Sequence, residues 1–181
     1  ELADGHVAVI DERQRSLSIF LLNADTRELD SAQAVQRVEL GTVGDSNKGF
    51  EGLAWDSRNQ RLLLANEKNP VRLFSLACDG RRVSGPLQAL GDLDGYVTDV
   101  AGLSVDSRSG QLLALSQESH LLLGLDPQLR AQSFLALLPG LNGLTRRVPQ
   151  AEGLALDNAG NLYVVSERNL FFAFQREVSA P

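Results

Sequence analysis

Two short phrases occur together three times along the chain at an almost constant interval, and this repetition limits the folds open to it. The first phrase contains a Gly-Leu dipeptide, and the second is an apolar run that ends in polar residues. The dipeptides begin at Gly52, Gly102 and Gly153, so the interval is about 50 residues, and self-similarity of that length indicates a repeat architecture.

Each copy alternates short apolar runs with polar turns such as Asp-Ser-Arg or Asp-Asn-Ala-Gly. The apolar runs that follow the first turn are residues 62–65, 112–115 and 162–165. Short apolar runs bounded by turn residues are typical of buried strands. Three or four antiparallel strands in about 50 residues predict one blade of a β-propeller, so the fold class is expected to be all-β.

We predict a single β-propeller domain over residues 1–181, with a partial blade at 1–48 and blades at about 49–95, 96–147 and 148–181. Residues 5–13 align with residues 161–168, which follow the first turn of the last copy, so the chain is expected to open within a blade. Most closed propellers need more than four blades. The expectation is therefore part of a five- or six-bladed ring that lacks N-terminal blades; alternatively, the first and last half-blades complete each other.

Composition excludes several classes of partner. The net charge is −6, which argues against nucleic acid because phosphate binding needs a clustered basic surface. The single cysteine, Cys78, excludes an internal disulfide framework and a thiolate zinc site. No stretch has the length of a membrane-spanning helix. The sequence contains no methionine, which suggests that a leader, anchor or tag has been removed.

Acidic side chains recur at equivalent positions of the copies. On the first strand the copies carry Glu51, Ala101 and Glu152, and at the end of the second strand they carry Glu12, Glu67, Gln117 and Glu167. Because the innermost strands of a propeller surround one channel, we expect these side chains to converge. Clustered carboxylates repel unless a cation or protons neutralise them, and calcium accepts oxygen ligands without a sequence-local motif. We predict a calcium site with Glu51 and Glu152 first, then Glu67, Glu167 and Glu12.

An ordinary structural role stays open for the same glutamates. Those at the end of the second strand can pair with the adjacent Arg13, Lys68 and Arg168, or accept hydrogen bonds from loop amides. Catalytic motifs are sparse, because both histidines lie outside metal or triad motifs and there is no nucleophile elbow or phosphate loop. Glu51 and Glu152 could act as acid and base on a bound substrate, but no catalytic residue is assigned.

The repeated phrases resemble the SdiA-regulated family of bacterial proteins. The matching segments are residues 9–13, 50–54, 64–67, 100–104, 151–155 and 164–168. The resemblance implies a five- or six-bladed, phytase-like propeller of the cell envelope, in the periplasm behind a removed N-terminal signal or anchor. It also implies a part in calcium response and homeostasis without a settled enzymatic activity. Ala101 departs from the glutamate of the other copies, so a metal site is expected to be asymmetric.

Gluconolactonase and senescence-marker propellers are similar in outline, and there a glutamate on the first inner strand binds a divalent cation. Glu51 and Glu152 match that placement, whereas Leu53 and Leu154 replace the proline of that family. A metal-dependent hydrolase, lactonase-like or phytase-like, is therefore the alternative function. A third is a protein-interaction platform, or a small-molecule site, formed by the loops at 41–49, 91–97 and 139–148.

Overall fold

The structure is a computed structural model that describes residues 1–43 and 49–176. Within these ranges the chain forms four antiparallel sheets of three or four strands. The one helical element among these residues is a short 3₁₀ turn, Ser31–Gln33, in which the Asp30 side chain accepts a hydrogen bond from the Ala32 amide. The prediction of an all-β chain is confirmed.

The strands follow one another as neighbours within each sheet. Sheet one contains β1 (His6–Asp11), β2 (Ser16–Leu21) and β3 (Gln36–Glu39). Sheet two contains β4 (Phe50–Asp56), β5 (Arg61–Asn66), β6 (Arg72–Cys78) and β7 (Val83–Asp92). Sheet three contains β8 (Gly102–Val105), β9 (Leu112–Ser116), β10 (Leu121–Leu125) and β11 (Ala131–Ala136). Sheet four contains β12 (Ala151–Leu156), β13 (Leu162–Ser166) and β14 (Leu170–Phe174).

Successive sheets pack face to face through alternate residues of their strands, since neighbouring side chains on a strand point to opposite faces. In sheet two, Leu63 and Ala65 share a core with Leu103 and Ala114 of sheet three. The same alternation joins the other sheets. Sheets one and two share Leu17, Ile19, Leu62 and Leu64, and sheets three and four share Leu113, Leu115, Leu162 and Val164. Each inner sheet is therefore apolar on both faces.

The Gly-Leu dipeptide has a packing role between sheets. A Cβ on Gly52 would lie 2.7 Å from Leu103 Cγ, and a Cβ on Gly102 would lie 2.8 Å from Leu154 Cδ2. Such approaches are closer than real side chains tolerate, so the glycine of one copy makes room for the leucine of the next. The repeated dipeptide thus brings β4, β8 and β12 side by side.

Arginines connect the turns at the opposite ends of these strands. Arg58 donates to the carbonyl oxygens of Ser107, at 2.8 Å, and Arg108 in the equivalent turn of sheet three. Arg108 in turn donates to the carbonyl oxygen of Ala159 in sheet four, at 3.0 Å. The guanidinium of Arg108 occupies the space that a side chain on Gly160 would need. The chain thereby links each of these sheets to the next at this rim.

One sequence expectation needs adjustment, and another lies largely outside the described residues. The loop expected at 91–97 begins later, because β7 continues to Asp92, whose Oδ2 accepts a hydrogen bond from Arg72 Nη2 at 3.0 Å. Of the loop expected at 41–49, residues 44–48 lie outside the described residues. The number of blades in the ring, the division into blades and the missing N-terminal blades stay predictions. Within the described ranges, no helix is long and apolar enough to span a membrane.

Candidate metal centre

The antiparallel order of the strands brings the predicted glutamates to one end of the sheets. In sheet two, β4 begins where β5 ends, because Phe50 pairs with Asn66. Glu51 on β4 and Glu67 just after β5 are therefore neighbours. Glu12 follows the end of β1, which lies beside β4, and its side chain occupies the space next to Gly49. Two sheets thus contribute carboxylates to one place.

Glu51 and Glu152 occupy equivalent irregularities in their strands. The pairing register shifts between Phe50 and Gly52 in sheet two, and between Ala151 and Gly153 in sheet four. Each glutamate is thus the additional residue of a β-bulge, a feature that redirects a side chain relative to the pleat. The bulges explain how a carboxylate is accommodated within an otherwise apolar strand.

Glu12, Glu51 and Glu67 form what we call the acidic cluster. Each of the three residues has one carboxylate oxygen that lies within 4.8 Å of those of the other two. Glu67 is buried, whereas Glu12 and Glu51 are exposed. Lys68 Nζ lies 3.3 Å from Glu67 Oε1 and 2.7 Å from Glu118 Oε1, and hydrogen bonding to Glu118, with Glu67 beside it, raises the pKa of Lys68. The expected pairing of Glu67 with Lys68 is therefore present together with the cluster.

Glu152 lies outside the acidic cluster but faces the same space. A cavity of about 370 Å³, here called the acidic cavity, is lined by Ile10, Glu12, Phe50, Glu51, Leu53, Ala101 and Glu152. Burial raises the pKa of Glu152, and the charges of Glu167, Asp99 and Glu67 raise it further. The acidic residues of sheets two, three and four therefore form one electrostatic unit.

Of the predicted metal ligands, Glu167 is the least suited to bind an ion. Its Oε2 accepts a hydrogen bond from Gln150 Nε2 at 2.8 Å, so a neutral side chain already satisfies part of the carboxylate. Its charge still contributes to the raised pKa of Glu152. In sheet three the neutral Ala101 and Gln117 stand at the equivalent positions, which makes the arrangement asymmetric as expected.

Asp99 is a site residue that sequence reasoning missed. It is buried and accepts hydrogen bonds from Ser116 Oγ, the Gln117 amide at 3.1 Å and the Glu118 amide at 3.0 Å. These bonds fix the chain that leaves β9 beside the acidic cavity. The sequence carries one sign of this role, because aspartate stands at this position in one of the three copies, whereas the other two carry glycine and glutamine.

The acidic cluster fits a calcium ion. Calcium binds 6 to 8 oxygens at 2.3–2.6 Å, so oxygens on one ion lie at most about 5.2 Å apart. The separation of up to 4.8 Å between the three carboxylates meets that limit. Because two of the three are exposed, water could supply the remaining ligands. Exposed carboxylates also cluster without a metal, so the fit alone assigns none.

A second cavity, of about 150 Å³, lies between sheets two and three at the other end of the strands. Two carboxylates line it, and each pairs with an arginine. Asp56 accepts hydrogen bonds from Asn59 Nδ2 at 2.7 Å and Arg61 Nε at 2.9 Å, and Asp126 accepts one from Arg130 Nε at 2.8 Å. Burial would raise the pKa of Asp56, but the bonds from Asn59 and Arg61 outweigh it and lower that pKa. A carboxylate neutralised in this way is a poor candidate for a cation, so the acidic cavity is the stronger site.

Three solved structures have the same type of fold. Glutaminyl cyclase of Myxococcus xanthus superposes with a TM-score of 0.55 and 19% identity over 84% of this chain and 53% of its own. A Bacteroides caccae protein of unknown function gives 0.51 and 12% over 92% and 56%. A nidogen/laminin complex gives 0.56 and 11% over 90% and 53%. The chain thus spans little more than half of each, and identities this low establish the propeller-type fold alone.

A family model supplies the comparison by sequence. The model described as SdiA-regulated matches residues 1–175, which is nearly the whole chain.

Proposed function

The chain belongs to the SdiA-regulated family, and from that premise we propose that it is a non-catalytic propeller of the bacterial cell envelope that binds calcium at the acidic cluster. The observation that carries the proposal is the approach of Glu12, Glu51 and Glu67 to within 4.8 Å of one another. Three carboxylates at that distance repel, and a hard divalent cation removes the repulsion.

The surroundings of the acidic cluster favour a cation over an anion. Among the described residues that line the acidic cavity, none is basic, and Glu152 adds a further carboxylate to its wall. Burial raises the pKa of Glu152, and the negative charges of Glu167, Asp99 and Glu67 raise it further. A bound cation would lower that pKa again, so protons and calcium are expected to compete for the site.

We propose that the protein binds calcium weakly. We propose further that it does so in the periplasm, where it takes part in calcium homeostasis or signalling. Two exposed ligands and water make an open, flexible site, and extracellular calcium modules bind with dissociation constants of about 10⁻⁴–10⁻³ M. A site of that affinity responds to changes in the calcium concentration outside the cytosol, and it is too weak to buffer calcium within the cytosol. Fractionation of cells that express the full-length protein tests the location, and recovery in the cytosol would contradict it.

Calorimetry on metal-stripped protein tests calcium binding. We expect one weak site in the wild type and at least about a tenfold loss of affinity, or 1.4 kcal/mol, in Glu51→Gln. Glu28→Gln is the matched control, because Glu28 is an exposed glutamate outside the cluster. Calcium at about 100 times the dissociation constant should stabilise the wild type by about 2.7 kcal/mol. Absence of heat and of any rise in melting temperature in the wild type would refute the proposal.

A metal-dependent hydrolase is the second candidate, because the raised pKa of Glu152 suits a general acid beside ionised carboxylates. The absence of a basic residue among the described lining residues disfavours phosphate esters and leaves lactones as the better class. A panel of lactones and phosphate esters with added calcium, magnesium or manganese tests this activity. Turnover that disappears in Glu152→Gln, while calcium binding remains, would support it; no turnover with any ion would exclude it.

A further inference from the structure

The second cavity is a gap in the core that sheets two and three share. Leu63 of β5 and Leu112 of β9 belong to that core and also line the cavity. Leu129, in the turn between β10 and β11, packs on the same core, and its Cδ1 lies 3.0 Å from the position of a Cβ on Gly91 of β7. The turn therefore rests on the outermost strand of sheet two and closes one side of the cavity.

The size and the wall of the second cavity suit a small ring. Its apolar wall consists of Leu63, Leu90, Leu112, Pro127 and Leu129. An engineered apolar cavity of about 150 Å³ in another protein binds benzene, so a cavity of this volume accommodates a six-membered ring. Burial of such a ring against leucine and proline side chains supplies the hydrophobic part of the affinity.

Arg61 adds hydrogen-bond donors to this wall. Arg61 and Leu63 are two residues apart on β5, so both point to the face of sheet two that packs on sheet three. Arg61 Nε donates to Asp56 Oδ2 at 2.9 Å. No group within residues 1–43 and 49–176 accepts a hydrogen bond from its terminal nitrogens, Nη1 and Nη2. These two planar donors are therefore available to an oxygen atom of a ligand.

The charges around the second cavity cancel in pairs. Asp56 pairs with Arg61, and Asp126 pairs with Arg130. An anion would lose its hydration beside two carboxylates, and a cation would lose it beside the nitrogens of Arg61. In either case no counter-charge remains to neutralise the ligand. The chemistry of the wall therefore favours a neutral ligand whose oxygen accepts hydrogen bonds.

We propose that the second cavity binds a small neutral ring compound whose carbonyl oxygen accepts hydrogen bonds from Arg61. A groove of about 420 Å³ adjoins the cavity, and both are lined by Gly110, Asp126 and Pro127. The groove gives the ligand a route from solvent and space for a polar substituent beside Gln132. The site lies at the opposite end of the strands from the acidic cluster, so binding there does not require calcium.

Three probes that share one ring but differ in charge test the proposal, namely neutral benzamide, anionic benzoate and cationic benzamidine. Methyl NMR spectra of the wild type report where each probe binds. We expect benzamide to shift the methyl signals of Leu63, Leu112 and Leu129 but not those of Leu64, which faces sheet one. Benzamide should bind at least about ten times more tightly than the other two probes. Absence of these shifts, or equally tight binding of benzoate or benzamidine, would overturn the proposal.

Arg61→Lys tests the hydrogen bonds to the carbonyl oxygen. Lysine keeps a positive charge beside Asp56 but lacks the two planar terminal donors, so benzamide should bind at least about tenfold more weakly. Arg130→Lys is the matched control and should bind benzamide as the wild type does. Arg130 also pairs with an aspartate, but it is not among the described residues that line the second cavity. Circular dichroism checks that both variants are folded.

The wild type tests the same contact without a substitution. The Nε–H signal of Arg61 should move when benzamide is added, whereas that of Arg130 should not. An unchanged affinity in folded Arg61→Lys, or an unmoved Arg61 signal in the wild type, would show that Arg61 does not bind the ligand, and the proposal would fail.

Discussion

The charge state of Glu152 depends on its surroundings in the folded protein. Burial, followed by the charges of Glu167, Asp99 and Glu67, raises its pKa. In the unfolded chain these charges are distant, so the folded protein binds the proton more tightly than the unfolded protein does. Stability therefore falls as the pH rises from the unfolded pKa through the folded pKa, and the ionised carboxylate destabilises the fold at higher pH.

Glu152→Gln should consequently melt at a higher temperature than the wild type at neutral pH without calcium. The difference should close below about pH 4, where an ordinary glutamate is protonated and the two side chains are both neutral. Thermal unfolding followed by circular dichroism at a series of pH values measures this difference. Glu28→Gln, at an exposed position outside the acidic cavity, should show no such trend. Equal melting temperatures of wild type and Glu152→Gln at neutral pH would contradict the assignment.

Repeat alignment located the candidate site but not its details. It predicted that Glu51, Glu152 and Glu12 would converge, because equivalent positions of packed sheets are neighbours. It could not separate Glu167, which Gln150 engages, from the residues of the acidic cluster. It also overlooked Asp99, which binds loop amides, because aspartate stands at that position in one copy only, whereas the prediction relied on carboxylates that recur. The assignment of these residues to a metal stays a prediction.

At the level of the elements, the turns after the first strands of sheets two and three act as clasps, because each holds the equivalent turn of the next sheet. Arg58 and Arg108 each donate to a carbonyl oxygen of the following turn. Gly110 and Gly160 stand where each arriving arginine lies, and both have a positive φ, of 78° and 86°. The two glycines differ in one respect: Arg108 fills the side-chain position of Gly160, whereas the nearest Arg58 atom is 3.4 Å from that of Gly110.

Gly160→Ala should therefore destabilise the protein more than Gly110→Ala. Both substitutions incur about 1–2 kcal/mol for a left-handed alanine, and the first also displaces a guanidinium. In an Arg108→Ala background the additional destabilisation by Gly160→Ala should disappear, so the coupling free energy between these two substitutions should be about 0.5–3 kcal/mol. Arg58→Ala, in contrast, should change the destabilisation by Gly110→Ala little. Urea unfolding of the two double-mutant cycles measures both couplings. Equal couplings would show that the clasp at Gly160 is not sterically tight.

The strands and turns were largely predictable from apolar runs and Gly-Asp-Ser punctuation, but strand ends were less so. The Gly91-Asp92 segment looked like a loop by composition. It is instead part of β7, because Gly91 pairs with Leu73 and Asp92 with Arg72. A cross-strand ion pair between residues 72 and 92 is invisible to a local pattern, and it extends the strand past the glycine.

For the whole molecule, the period of the repeat was sufficient to predict an all-β, propeller-type chain, which the four sheets and the structural neighbours confirm. The period could not supply the ring size. A repeat defines one unit and its contact with the next, and ring closure depends on small rotations between sheets that no residue pattern records.

Amide hydrogen exchange should show that sheet four is less protected than sheet three. The strands β13 and β9 are equivalent and each pairs on both sides, but within residues 1–43 and 49–176 sheets cover both faces of β9 and one face of β13. Local opening therefore exposes less additional apolar surface at β13, and its amides should exchange faster than those of β9 in dilute protein. Equal protection of β13 and β9 in dilute protein would mean that sheet four is not open, because a sheet left covered on one side alone cannot hold its central strand as firmly as one covered on both.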